Sequence, residues 1–140
     1  MYCIGARLET VHALAAPQSQ RPLECSDDFV VSLRFADGSL GTLLYTAEGD
    51  ARMGKERIEA FASGQSLVID DFRRLERYRK GRRSEVKRRQ DKGHQQEIER
   101  FLGSCRGHAE APDPSTYFAS TEATMAAAES LLIGQPVVMA

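Results

Sequence analysis

Residues 27–45 carry the clearest pattern of hydrophobic and polar positions in the chain. Phe29, Val31, Leu33 and Phe35 alternate with Val30, Ser32 and Arg34, the period of two that turns one face of a strand toward a core. Ala36-Asp37-Gly38-Ser39 then supplies an Asp-Gly pair that tolerates positive φ in a tight turn, and Leu40, Thr42 and Leu44 alternate with Gly41, Leu43 and Tyr45 beyond it. The pattern predicts an antiparallel hairpin. Both of its faces are apolar in part, with Leu43 and Tyr45 on one side and Leu40 and Leu44 on the other.

Upstream, residues 6–14 place Ala6, Leu8, Thr10, His12 and Leu14 opposite Arg7, Glu9, Val11 and Ala13, a strand with one modest apolar face. Residues 16–26, with Pro17 and Pro22, read as a loop. Downstream, residues 56–62 and 65–72 alternate around Ser63-Gly64 and predict a second hairpin. Residues 73–90 hold ten Lys and Arg among eighteen residues, with Lys80-Gly81 as the turn of a third, solvated hairpin.

Two helices follow. Ile98, Phe101, Leu102 and Cys105 fall at i, i+3, i+4 and i+7, one apolar stripe, and Gly103 and Gly107 are read as its end. The second helix begins near Asp113-Pro114-Ser115, runs through Phe118, Met125, Ala128 and Leu132, and stops at Gly134 and Pro136. Strands first and helices last predict an α+β fold: a mainly antiparallel sheet with two C-terminal helices packed on one face, residues 1–140 forming a single domain. Phe35 from the hairpin and Phe101 from the first helix are expected to meet in its core.

The net charge of -1 argues against a wholesale polyanion binder, but it conceals an asymmetry. Residues 52–92 hold fourteen basic and seven acidic side chains and carry +7, while the remainder, with five basic and thirteen acidic, carries -8. Only Tyr78 offers a stacking ring within the basic run, so a solvated edge hairpin is preferred to a nucleic-acid surface. Cys3, Cys25 and Cys105 are an odd number at spacings that match neither a zinc site nor a disulfide framework, which fits a reducing compartment. Arg7, Glu9 and His12 interrupt any signal-peptide core at the start, no run reaches membrane-spanning length, and a cytoplasmic location is expected.

Chemistry is sparse. No GxGxxG follows a strand and no GxxxxGK[ST] occurs. Asp27-Asp28 and Asp70-Asp71 are adjacent pairs whose members point to opposite faces of a strand, so neither converges on one point. His12, His94 and His108 are too scattered for a metal argument, and no metal is expected. His94 stands out because Asp91-Lys92-Gly93-His94 lies where a helix begins. Tyr45, Lys92 and His94 are the substrate-side candidates. No residue is assigned a catalytic or cofactor-binding role.

Five segments in order resemble the C-terminal domain of the glucose-fructose oxidoreductase, inositol dehydrogenase and rhizopine catabolism (Gfo/Idh/MocA) family. They are residues 27–50 (DDFVVSLRFADGSLGTLLYTAEGD), 54–64 (GKERIEAFASG), 68–76 (VIDDFRRLE), 90–101 (QDKGHQQEIERF) and 126–138, which opens AAAESLLIGQPV. Within the family the chain is most similar to the tail of larger proteins that join a zinc alcohol dehydrogenase-like part to such a module. The resemblance implies a substrate-side and oligomerisation domain of an NAD(P)-dependent sugar or cyclitol oxidoreductase. It implies a homo-oligomer through the open sheet face, NAD(P) for the whole protein, and a missing or separate Rossmann domain.

The family's glycine-rich loop and its Glu-Lys-Pro segment with the catalytic lysine belong to that Rossmann domain and do not occur here. The Asp-x-x-x-His pair that opens the second domain is absent too, DKGH having another spacing and a later position. The resemblance therefore transfers no catalytic residue, and the chain is expected to be inactive alone and to bind no cofactor. A stand-alone binding or assembly module that keeps the fold without catalysis is the alternative. Neither membrane nor nucleic acid is expected as a partner.

Overall fold

The computed structural model describes residues 4–16, 26–111 and 113–139. The expected loop at residues 16–26, with Pro17, Pro22 and Cys25, lies largely outside them, as does Cys3. The chain divides into two compact units, Met1–Gly49 with Pro112–Ala140, and Asp50–Ala111.

The first unit is a four-stranded antiparallel sheet in the order β3-β2-β1-β8, formed by β1 (Leu8–Ala15), β2 (Asp28–Phe35), β3 (Leu40–Thr46) and β8 (Val137–Val138), with the helix α2 (Ser115–Ile133) against β1 and β8. The central hairpin forms as expected, with a different turn. Phe35 accepts Gly38 N–H at 3.0 Å and donates its own N–H to Ser39 at 3.0 Å, and only Gly38 takes positive φ (82°). This is a three-residue connection with glycine in the left-handed position, and Asp37 fixes it by accepting Ser39 N–H at 2.9 Å.

Beyond Leu8, the strand β1 buries the opposite set of side chains from the one its alternation groups with Leu8. Leu8 pairs with Phe35 but Thr10 pairs with Arg34, so Glu9 is an extra residue and the pleat changes phase there. Leu8 thereby joins Val11 and Ala13 on the inner face, while His12 and Leu14 face away. These three, with Val31, Phe35, Ala123 and Ala126, make up the buried apolar cluster among the described residues. The two-residue strand β8 was not expected, since Gly134 and Pro136 mark only a helix end.

The helix α2 presents small side chains to the sheet. Ala123, Ala126 and Ser130 are buried, whereas Phe118, Met125 and Leu132, the residues expected to define its path, are exposed. An alanine-rich stretch lets the helix axis approach the sheet closely, and large side chains then have room only on the outside. Ser130 is fully buried, and its hydroxyl accepts Ala13 N–H at 3.0 Å while donating to Gln135 O at 2.7 Å.

The second unit is a meander of β4 (Arg57–Ala62), β5 (Gln65–Asp70), β6 (Arg74–Arg79) and β7 (Arg82–Lys87), followed by α1 (His94–Cys105). Ser63-Gly64 and Lys80-Gly81 form two-residue turns with positive φ at both positions, so the second and third hairpins form where predicted. Phe72, expected at the end of β5, lies instead in the turn to β6 with φ 52°.

The helix α1 departs most from expectation. It buries none of its residues, and Phe101 is 64% exposed while Phe35 is 2% exposed. The expected Phe35–Phe101 core is replaced by one in which Phe35 clusters with Val11, Ala123 and Ala126. Gly103 lies inside the helix, and the end comes at Gly107, whose N–H bonds Ser104 O at 3.0 Å while His108 N–H bonds Gly103 O at 2.8 Å. Such paired bonds behind a left-handed glycine satisfy the last carbonyls of a helix.

Replacing Phe35 with Ala is expected to cost about 3–5 kcal/mol, whereas Phe101→Ala stays within about 1 kcal/mol of the parent. Urea denaturation followed by circular dichroism checks both, and an equal loss in the two variants would contradict this core. Ser130→Ala leaves a buried N–H and a buried carbonyl without their shared partner and is expected to cost about 1–3 kcal/mol in the same measurement.

Candidate functional site

A concavity of about 470 Å³ lies wholly within the first unit, between the inner face of its sheet and α2. The register dictates its sheet wall. Phe29 pairs with Tyr45, Val31 with Leu43 and Leu33 with Gly41, so these rows share the face that looks toward the helix. The helix wall is Ser120, Ala123, Thr124, Ala127, Ala128 and Leu131, positions three and four apart along one side of α2. Phe29 and Tyr45 stack with ring centroids 5.2 Å apart and form one end of the apolar floor.

Tyr45 is the one lining residue with an ionisable side chain, and the remaining polar groups are the hydroxyls of Ser26, Ser120 and Thr124. The oxygen of Ser26 accepts Asp28 N–H at 3.2 Å and is also within reach of Asp28 O at 3.0 Å, so it serves the chain entering β2. A cleft of this composition can enclose an apolar surface and offer hydroxyls to it.

The other two substrate-side candidates belong to the second unit. Lys92 pairs with Glu56 Oε1 and lies 6.0 Å from the Phe72 ring centre, an arrangement that uses its charge within the unit. The second oxygen of Glu56 is buried without a hydrogen-bond partner among the described residues. His94 is the first residue of α1, exposed, behind Gly93 at φ 80°. Asp91 accepts Gly93 N–H at 2.9 Å and so shapes the entry to that helix.

The most strongly perturbed group lies on one face of the second sheet. Asp70, Arg74, Glu76, Arg83, Glu85 and Lys87 form a continuous ladder of alternating charge, with contacts of 2.7, 3.4, 2.8, 3.5 and 3.2 Å in that order. Glu76 is its buried centre. Hydrogen bonds from Arg83 and from the Tyr78 hydroxyl hold its carboxyl down at about 2, and the same bond to Glu76 raises the Tyr78 phenol. No group of three or more His, Cys, Asp or Glu able to hold a metal occurs among the described residues, and none of the described helices is long and apolar enough to cross a membrane.

The sequence pattern located Tyr45 but not its setting. The helix wall is the part it missed. A run of small residues three and four apart, 120, 123, 124, 127 and 128, was the available signal, and it was overshadowed by the large residues on the outer side.

No family model matches the sequence, and no curated protein matches it. Solved structures do. An NAD-binding oxidoreductase from Klebsiella pneumoniae superposes with a TM-score of 0.73 at 16% identity, over 96% of this chain and 46% of that one. The fold is shared with oxidoreductases. An aldose-aldose oxidoreductase from Caulobacter crescentus gives a TM-score of 0.74 at 12% identity, over 96% of this chain and 42% of that one. A UDP-N-acetylglucosamine 3-dehydrogenase from Acidithiobacillus ferrooxidans gives 0.69 at 19% identity, over 92% and 40%. The chain therefore spans less than half the length of these structures.

The depressed carboxyl of Glu76 has a consequence for stability. A group whose acidity is increased by folding contributes stability above its unfolded value, here 4.5, and loses it as the pH falls toward about 2. Thermal unfolding followed from pH 6 to pH 2 is expected to show that loss, and Glu76→Gln to flatten it. An unchanged pH slope in the variant would contradict the role of the ladder.

Proposed function

We propose that the chain is the C-terminal, substrate-side and oligomerisation domain of an NAD(P)-dependent sugar or cyclitol oxidoreductase, inactive alone and without a nucleotide site of its own. The observation that carries this is the asymmetry of coverage: almost all of this chain matches, over 40–46% of each oxidoreductase. The cleft between the sheet and α2 supports it, since an apolar wall with one ionisable residue is suited to shaping a site whose chemistry comes from elsewhere. In this reading Tyr45 faces substrate from the cleft of the first unit, and a Rossmann domain supplies the cofactor. Residues 1–140 act together as that domain.

The outer face of the first sheet is the proposed contact between copies, because Leu14, Leu40 and Leu44 are exposed there. The same cleft favours a second reading, a binding module without catalysis, in so far as its lining needs no partner to enclose an apolar group.

Two measurements test the first reading. Calorimetric titration with NADH and NADPH is expected to show no binding to this chain tighter than about 100 μM, roughly -5.5 kcal/mol, and tighter binding overturns the assignment of the cofactor elsewhere. Sedimentation at tens of micromolar is expected to show a dimer that Leu40→Lys with Leu44→Lys dissociates. A monomeric parent overturns the oligomer surface.

A further inference from the structure

The two faces of the second sheet differ in charge in a way that the ladder hides. Paired residues of antiparallel strands share a face, so the register sorts all twenty-four strand side chains. One face holds Arg57, Arg74, Arg83 and Lys87 with Glu59, Asp70, Glu76 and Glu85, four charges of each sign. The opposite face holds Arg77, Arg79 and Arg82 and no carboxylate. Every acidic side chain of these strands is spent on the balanced face.

The three arginines stand close together. Arg79 and Arg82 are directly paired beside the Lys80-Gly81 turn, and Arg77 is two residues from Arg79 on the same face. Like charges placed opposite one another across a strand pair oppose folding unless something else uses them. Arg77 is already oriented: its Nε and Nη2 donate to Gln65 Oε1 at 3.2 and 2.7 Å, and Gln65 pairs with Arg79. A neutral amide thus fixes that guanidinium without neutralising it. All three arginines are exposed.

The geometry points to a binding site for a phosphoryl anion at Gln65, Arg77, Arg79 and Arg82. Guanidinium forks match the oxygens of a phosphoryl group two at a time, and paired strand residues about 5.5 Å apart bring two forks to one anion. A diphosphate, with charge at two centres, engages all three arginines. The site is independent of the oxidoreductase reading, because it uses no residue of the cleft and no nicotinamide.

The test is a calorimetric titration with inorganic pyrophosphate and with ADP at fixed ionic strength. The parent is expected to bind pyrophosphate in the millimolar range. Arg79→Ser with Arg82→Ser is expected to weaken binding at least tenfold. Gln65→Glu keeps the hydrogen bonds to Arg77 but adds the missing carboxylate, and is expected to weaken binding several-fold without lowering the melting temperature. Arg57→Ser, on the balanced face, is expected to leave it unchanged. Equal affinities for the two anions support recognition of the phosphoryl groups alone, and tighter binding of ADP supports a nucleoside diphosphate as their source. No heat of binding with 10 mM pyrophosphate, ten times an affinity of about 1 mM, overturns the site, as does an equal loss in the Arg57 variant.

Discussion

The strand β1 is the constraint on which the first unit depends. It lies inside the sheet, between β2 and β8, yet β8 pairs with it only at Thr10 and Val11. Beyond that point the backbone of β1 faces the protein interior with no strand beside it, and a buried N–H without an acceptor costs as much as a lost hydrogen bond. Ser130 fills the gap. Its hydroxyl takes the Ala13 N–H from the helix side and passes a hydrogen bond on to Gln135 O, where the chain turns from α2 toward β8.

That one contact limits what α2 can be. A serine hydroxyl reaches a strand N–H only if the helix axis comes close to the sheet, so neighbouring inward positions must be small, and Ala123 and Ala126 are. The close approach at the β1 end leaves the helix standing away from β2 and β3. There the small residues of α2 face Phe29, Leu33 and Leu43 across the cleft. The cleft is thus a by-product of satisfying β1.

The strands and hairpin turns were legible because they depend on local signals: period-two alternation, Ser63-Gly64, and Lys80-Gly81. What was not legible depends on partners distant in sequence. The bulge at Glu9 reverses which side of β1 is buried, and alternation alone cannot report an extra residue that only the opposing strand reveals. The stripe of α1 identifies a side fit for burial and not a neighbour to bury it. In α2 apolar residues occur nearly all round, so periodicity could not choose between the side of Ala126 and that of Met125. For the site, Tyr45 was visible as an aromatic on the strand, whereas the hydroxyl and alanine wall opposite it comes from a helix more than seventy residues away.

The second unit raises a different question, since its strands contribute no buried apolar side chain among the described residues. Its apolar content is chiefly one row across the sheet, Ile58, Ile69, Leu75 and Val86, on the face that also carries the three arginines. The exposed ion pairs of the ladder on the other face each contribute only about 0–1 kcal/mol, so its contribution to stability is concentrated at the buried Glu76. The ladder also acts on register. A slip of one residue between β6 and β7 would send the arginines and glutamates of one strand to the face opposite their partners, and would split Leu75 from Val86. Glu76, enclosed by Arg83, Arg74 and Tyr78, is the residue least able to tolerate that slip, because it would leave a desolvated carboxylate without its donors. The alternating charges thus specify a pairing that the short apolar row could not specify alone.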